Sequence, residues 1–247
     1  MDLGLEGRRA LVTGASKGLG RACAEALARE GASVFIVSRN EEQLKRTAEE
    51  VGAAGHLAGD LSEASVCEAA VRQAVELLGG LDILVCNAGG PPPGTWESTD
   101  LAAWDRGYQL TLMSTIRLTH HALPHLQSSD QGRIVNITSI SVRQPIPNIL
   151  LSNAFRSAVT AAAKTLALEI AKSGVTVNNL APGTILTDRV RQLYGDNVAQ
   201  VEKNHPMGRI GRPEELGAAC AFLCSRWAGY VTGQTLGVDG GELKGVY

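Results

Sequence analysis

Apolar and polar positions divide this chain into two kinds of segment that take turns along its length. Short, nearly continuous apolar runs, each closed by glycine, proline or small polar residues, read as buried strands: Arg9–Val12, Ser33–Val37, a run ending near Gly59-Asp60-Leu61, Leu81–Cys86, Gly132–Ser139, Val175–Leu180 and Val231–Val238. Between them lie longer stretches with helical character. The first, Arg21–Arg29, is alanine-rich. Asn40 and Gln43 form a capping-box pattern for the second, and Ser62 is the expected N-cap of a third that runs to Leu78. Leu101–Leu126, bent near Pro124, Leu150–Ser173 and Pro213–Cys224 complete the set. Strands alternating with helices imply parallel pairing and right-handed crossovers, an α/β doubly wound sheet. Pro91-Pro92-Pro93-Gly94 opens a loop after the fourth strand, and a polar segment over 184–206 without periodicity reads as a lid.

In such sheets ligands lie outside the carboxyl ends of the strands. The first strand ends in Thr13-Gly14-Ala15-Ser16-Lys17-Gly18-Leu19-Gly20. Free N–H groups and the dipole of the following helix make that turn an anion site, and glycine admits a phosphate where a Cβ would collide. The spacing is neither that of a P-loop nor G-x-G-x-x-G, since Cys23 stands where the latter needs glycine. Thr-Gly-x-x-x-Gly-x-Gly in a strand–helix setting favours a dinucleotide, the plainer alternative being a structural turn. At the end of the second strand an acidic residue would bind a ribose 2′-OH; this chain has Arg39 there, and Lys17 is within reach of the same place. Together they favour NADP(H), with NAD(H) the second choice, and Arg39 offers the planar fork that suits phosphate. Asp60 is a candidate acceptor for the adenine amino group, or simply a strand end.

Composition narrows the classes. The chain has 247 residues, 44% hydrophobic, with a net charge of −2. It is sized for one domain over 1–247 and has no electrostatic footprint for nucleic acid. No apolar stretch suits a membrane span, and the first residues do not form a signal peptide. The five cysteines are scattered; Cys220 and Cys224 are not a Cys-x-x-Cys pair. A reduced, cytoplasmic protein fits. His120, His121 and His125 lack acidic or cysteine partners at suitable spacing and read as surface residues rather than metal ligands.

The chain resembles the short-chain dehydrogenase/reductase family over nearly its whole length. The resemblance rests on the glycine turn, Asn87-Ala88-Gly89, Gly132–Asn136, Ala181-Pro182-Gly183, Gly208–Glu215, Val231–Gln234 and Val238–Gly241. Within the family it most resembles β-ketoacyl-acyl-carrier-protein reductases. The resemblance implies a Rossmann-type seven-stranded sheet of order 3-2-1-4-5-6-7, NAD(P) binding, a small-molecule carbonyl or alcohol substrate, and a homotetramer. It also implies cofactor contacts at Gly14, Ser16, Lys17, Gly18, Leu19, Arg39, Asp60, Leu61, Asn87, Ala88, Gly89, Arg156, Pro182, Gly183, Ile185 and Thr187.

The family's Asn-Ser-Tyr-Lys set is mostly replaced. Ser139 holds the serine position. Ser152 stands where tyrosine belongs, Arg156 where lysine belongs, and Thr111 at the asparagine position. No tyrosine lies between Tyr108 and Tyr194, so no shift of register restores the pair. Ser152 and Arg156 share a helix face, directed toward the end of the strand that carries Ser139. Serine is a far poorer acid than a phenol of pKa about 10, and arginine stays protonated to about pH 12, so general acid catalysis is weakened while electrostatic stabilisation survives. The expected activity is NADP(H)-dependent carbonyl/alcohol hydride transfer at a modified site, with Tyr194, water or the substrate as proton source. The alternative is an NADP-binding sensor or partner subunit without turnover.

Overall fold

The computed structural model describes residues 1–246. Seven strands, β1 (Arg9–Thr13), β2 (Ser33–Ser38), β3 (Gly55–Ala58), β4 (Ile83–Cys86), β5 (Arg133–Ile137), β6 (Thr176–Pro182) and β7 (Thr235–Val238), form one parallel sheet. Its order is β3-β2-β1-β4-β5-β6-β7, as the resemblance implies. Among the described residues, nine α-helices lie between and around the strands: α1 (Gly18–Arg29), α2 (Glu41–Val51), α3 (Ala64–Leu78), α4 (Leu101–Gly107), α5 (Ser114–Gln127), α6 (Leu150–Ile170), α7 (Asp188–Tyr194), α8 (Val198–Asn204) and α9 (Pro213–Cys224).

The apolar runs became strands because a doubly covered sheet buries both faces. Val12, Val34 and Ile36 point into one core with Leu27 and Leu216, from α1 and α9. Their neighbours Leu11, Phe35 and Val37 point into the other, with Ala70, Leu118 and Ala163 from α3, α5 and α6. One residue's step moves a side chain from one core to the other. Asp82 is 2% exposed at the amino edge of the sheet, where it accepts from Arg9 N, Arg9 Nε and Ser129 Oγ at 2.9, 2.8 and 2.6 Å. Burial pushes its carboxyl up, but these hydrogen bonds and the Arg9 charge outweigh burial and hold it below the usual carboxylate range.

Four expectations need correction. The first helix begins at Gly18, not Arg21, so two of the turn's glycines already lie in it. The third begins at Ala64, and Ser62 is not its cap; its N–H is instead taken by Asp60 Oδ1 at 2.9 Å. Asn40 does cap α2, accepting from Gln43 N at 2.8 Å. The stretch expected as one helix over 101–126 is broken by a π-helical segment, Tyr108–Met113, between α4 and α5, whereas Pro124 sits within α5. The lid contains two short helices, α7 and α8. Its base is pinned by Glu242, which accepts from Thr184 N at 2.7 Å and Thr184 Oγ1 at 3.0 Å.

Candidate active site

The glycine turn is held by packing as much as it is opened for a ligand. Thr13 Oγ1 donates to Asn87 O (2.9 Å) and accepts from Asn87 N (3.0 Å), tying the end of β1 to that of β4. The Asn87 side-chain amide donates to Gly14 O at 3.1 Å. Gly14 has φ +58°, and a Cβ there would meet Asn87 O at 2.6 Å. A Cβ on Gly20 would meet Gly14 O at 2.3 Å, so this glycine lets α1 sit directly on the turn. Gly18 alone of the three is open: its nearest neighbour is the Thr187 methyl, 3.6 Å from a Cβ, across the cleft. The backbone N–H groups at the start of α1 therefore face an open trough.

That trough is a cleft of about 900 Å³ along the carboxyl ends of the strands. It brings together Gly14, Ser16, Lys17, Gly18, Leu19, Arg39, Leu61, Asn87, Ala88, Gly89, Ser139, Ser152, Arg156, Pro182, Gly183, Ile185 and Thr187. Asp60 does not line it, its carboxylate being turned to the Ser62 N–H. Ser16 is 6% exposed, and its hydroxyl lies 2.9 Å from that of Ser38. Lys17 pairs with Asp188 of the lid at 3.0 Å, both ends exposed. Arg39 has no carboxylate partner among the described residues, and its Nη2 lies 3.7 Å from where a Cβ on Gly89 would stand. The Arg39 fork thus reaches over the mouth of the cleft with its charge uncommitted.

The three candidate side chains at the deep end come from β5 and α6. Ser139 follows β5 in extended backbone, and its Oγ accepts from Ser141 N at 3.1 Å, which leaves the hydroxyl proton free to point into the cleft. Leu150 N donates to Gly94 O at 3.2 Å, and Gly94 N donates to Asn148 O at 2.8 Å; the triple-proline loop is thereby fixed to the start of α6. One turn apart on that helix, Arg156 Nε donates to Ser152 Oγ at 3.2 Å. Arg156 Nη1 donates to Ile137 O at 2.7 Å, the last residue of β5, and Nη2 to Ala88 O at 3.5 Å. Burial, and then the charge of Arg189, push Arg156 down to about 10. The guanidinium is still a cation at neutral pH.

Thr111 is not in the cleft. It belongs to the π-helical segment, is 3% exposed, and its Oγ1 has no protein partner. It lines a cavity of about 10 Å³ behind Arg156, together with Thr115, Thr138 and Val159. That is room for one water. Tyr194, the lid tyrosine considered as a proton source, is 36% exposed and outside the cleft lining, whereas its neighbour Leu193 is within it. His120 and His125 lie exposed on α5. One residue escaped sequence reasoning: Arg189, half-buried in the lid, lines the cleft and donates to Pro91 O at 3.0 Å. Its position two after Thr187 was the available signal.

Similarities to known proteins bear on this arrangement. A family model described as Enoyl-(Acyl carrier protein) reductase matches residues 14–242. The 3-oxoacyl-[acyl-carrier-protein] reductase of Vibrio cholerae is 35% identical over 240 residues, covering 97% of this chain and 98% of the relative. L-Sorbose reductase from Gluconobacter frateurii, solved with NADPH and L-sorbose, superposes with a TM-score of 0.94 at 33% identity over 100% of both chains. An NADPH-bound short chain oxidoreductase from Pseudomonas aeruginosa PAO1, described as containing an atypical catalytic center, gives 0.90 at 31% identity, covering 96% of this chain and 97% of that one. With the strand order, the Thr13–Gly20 turn clamped by Asn87, and full-length similarity to these reductases in agreement, the chain belongs to the short-chain dehydrogenase/reductase family and is an oxidoreductase.

Proposed function

We propose that this chain transfers hydride between NADP(H) and a small-molecule carbonyl or alcohol, at a site where fixed charge replaces the family's tyrosine–lysine acid. The carrying observation is the 3.2 Å contact from Arg156 Nε to Ser152 Oγ. A serine oxygen that accepts from a guanidinium has its own proton left to donate. Ser152 and Ser139 then present two hydroxyl donors to a carbonyl oxygen, and Arg156 supplies positive charge as that oxygen becomes negative. This is oxyanion stabilisation in a partly dry cleft, and it does not require Arg156 to give up a proton. The proton that completes the alcohol comes from water through the open mouth of the cleft.

The cleft suits a dinucleotide phosphate. In this reading, the N–H groups of Gly14, Ser16, Gly18 and Leu19 hold the diphosphate, Arg39 and Lys17 the 2′-phosphate, and Leu61 borders the adenine. Asn87, Ala88, Gly89 and Arg156 face the ribose of the nicotinamide half, and Pro182, Gly183, Ile185 and Thr187 its carboxamide. When bound, NADPH supplies the hydride. The uncommitted Arg39 fork supports NADP(H) over NAD(H), as do the NADPH-bound neighbours. A relative that holds NADPH beside an atypical catalytic center supports pairing a full cofactor cleft with an altered site.

Thr111 takes the role of a positioning residue behind Arg156, its hydroxyl oriented toward the single-water cavity. The reading extends to a cytoplasmic homotetramer. The buried free thiols and the family resemblance support it, and none of the described helices is long and apolar enough to cross a membrane.

The test is NADPH oxidation across a broad panel of ketones and aldehydes, preceded by calorimetric titration of NADPH and NADH. Saturable NADPH binding with substrate-dependent turnover is expected. NADPH binding with no turnover above background would overturn the catalytic reading in favour of a sensor or partner subunit.

A further inference from the structure

Two guanidinium groups converge on one short loop. Arg156 approaches it from α6 and donates to Ala88 O at 3.5 Å; Arg189 approaches it from the lid and donates to Pro91 O at 3.0 Å. Both line the same cleft. Each is satisfied only by neutral oxygens: Ile137 O, Ala88 O and Ser152 Oγ for one, Pro91 O for the other. Among the described residues no carboxylate lies within 4.0 Å of either, and Asp188, the nearest acid in sequence to Arg189, is already paired with Lys17. The charge of Arg189 is felt at Arg156, where it disfavours the protonated form.

Like charges in a partly desolvated cleft repel, and among the described residues no carboxylate offsets this pair. An oxyanion between them would satisfy both, because arginine's planar fork matches a carboxylate bidentately. Resting on the catalytic reading above, we propose that the substrate is a keto acid or hydroxy acid, whose carboxylate is held by Arg189 and shared with Arg156 while Ser139 and Ser152 face its carbonyl. Leu110, Ile149 and Leu193 line the same cleft and offer apolar contact to the substrate's carbon chain. Arg189 is then a specificity-determining residue at the start of α7.

The competing claimant on Arg189 is the cofactor's diphosphate, and the experiment separates the two. Malonate is titrated calorimetrically into NADPH-saturated protein and into protein alone, for wild type, Arg189→Gln and Arg189→Lys. NADPH is titrated separately. Acetoacetate and acetoacetamide, which share a ketone and differ in charge, are compared as substrates. The expected result is saturable malonate binding, weakened at least about tenfold in Arg189→Gln and partly retained in Arg189→Lys, with the NADPH dissociation constant changed by less than about threefold. Acetoacetate should be preferred over acetoacetamide, and the preference should collapse in Arg189→Gln. Absence of malonate binding in both forms overturns the proposal. So does an Arg189→Gln variant that loses NADPH affinity and keeps malonate binding, since the arginine would then serve the diphosphate. Failure of NADPH to bind at all would count against the cofactor assignment alone, because the titration of protein without cofactor still reports on the two arginines.

Discussion

Arg156 Nε donates to Ser152 Oγ one helical turn away, and the same guanidinium donates through Nη1 to Ile137 O at the end of β5. The arginine is thereby fixed in direction as well as charge. A lysine at 156 could carry the charge without making this set of contacts, and an alanine could do neither. Arg156→Ala is expected to lower kcat/KM about 100-fold or more, the magnitude typical of a lost oxyanion donor. Arg156→Lys should fall between the two. Stopped-flow or steady-state NADPH oxidation with the best substrate from the panel measures this; an Arg156→Ala variant with wild-type kcat/KM would remove the arginine from the reaction.

Because burial and Arg189 push Arg156 down to about 10, its charge is within reach of titration. The rate should hold steady from pH 7 to about 9 and fall above about 10 as the cation is lost. The sign for stability is opposite. The unfolded chain binds the proton more tightly than the folded one, so as pH rises from about 10 toward the ordinary arginine range the contribution of Arg156 to folding rises with it. Loss of rate in that window is therefore not loss of fold through this residue. Arg189→Gln removes the second cause and should move the alkaline limb upward; a pH–rate profile of both proteins at constant ionic strength checks it.

The frame of the molecule was readable in the sequence because a sheet covered on both sides demands continuous apolar runs, and glycine or proline closed each of them. What escaped reading depended on contacts distant in sequence. Helix α1 starts at Gly18 despite poor helix formers because Gly20 packs on Gly14, whose own conformation is set by Asn87. The π-helical segment keeps an apolar rhythm that looks like an uninterrupted helix, and it was enough to turn Thr111 away from the cleft. Asp60 reads in sequence as either an adenine acceptor or a strand end, and the local turn claims its carboxylate. Arg189 sits in a stretch without periodicity, and its partner Pro91 is 98 residues away. The positions of Ser139, Ser152 and Arg156 followed from the resemblance; the contact among two of them needed coordinates.

The three glycines of the turn should behave differently when replaced by alanine. Gly14→Ala combines φ +58° with a Cβ 2.6 Å from Asn87 O, and Gly20→Ala places one 2.3 Å from Gly14 O. Both should destabilise, by about 1–3 kcal/mol or more for the backbone strain at Gly14 alone, and both should lower the melting temperature. Gly18→Ala is strained by its φ of +59° but meets nothing closer than 3.6 Å. It should melt nearer to wild type while weakening NADPH binding, since its Cβ faces the trough. Thermal melts and calorimetry on the three variants would show the separation, or its absence.

Asp82 predicts an acid limb. Because Arg9 keeps solvent access when its carboxylate is lost, Asp82→Ala should destabilise by about 1.5–3 kcal/mol, the worth of hydrogen bonds to a charged group. Its folded pKa is depressed, so its contribution is fully present above the unfolded value of about 3.9 and is lost as pH falls through the folded value. The difference in melting temperature between wild type and Asp82→Ala should therefore shrink below about pH 4. A difference that stays constant from pH 7 to pH 3 would mean that the ion pair carries no net stability.

Cofactor discrimination should divide unequally between the two cations at the mouth. Arg39 is uncommitted, so Arg39→Ala should weaken NADPH by about 10- to 100-fold, the worth of a charge-assisted hydrogen bond, and leave NADH nearly unchanged. Lys17 is bound to Asp188, but that pair is exposed at both ends and worth at most about 1 kcal/mol, so a 2′-phosphate can take the lysine from it. Lys17→Ala should then cost less than Arg39→Ala. Asp188→Asn should strengthen NADPH slightly, by up to about fivefold, because the lysine no longer has to be released. The three dissociation constants, measured at two salt concentrations, test the ordering: equal losses for Arg39→Ala with NADPH and with NADH would place the arginine at the adenine or ribose rather than at the phosphate.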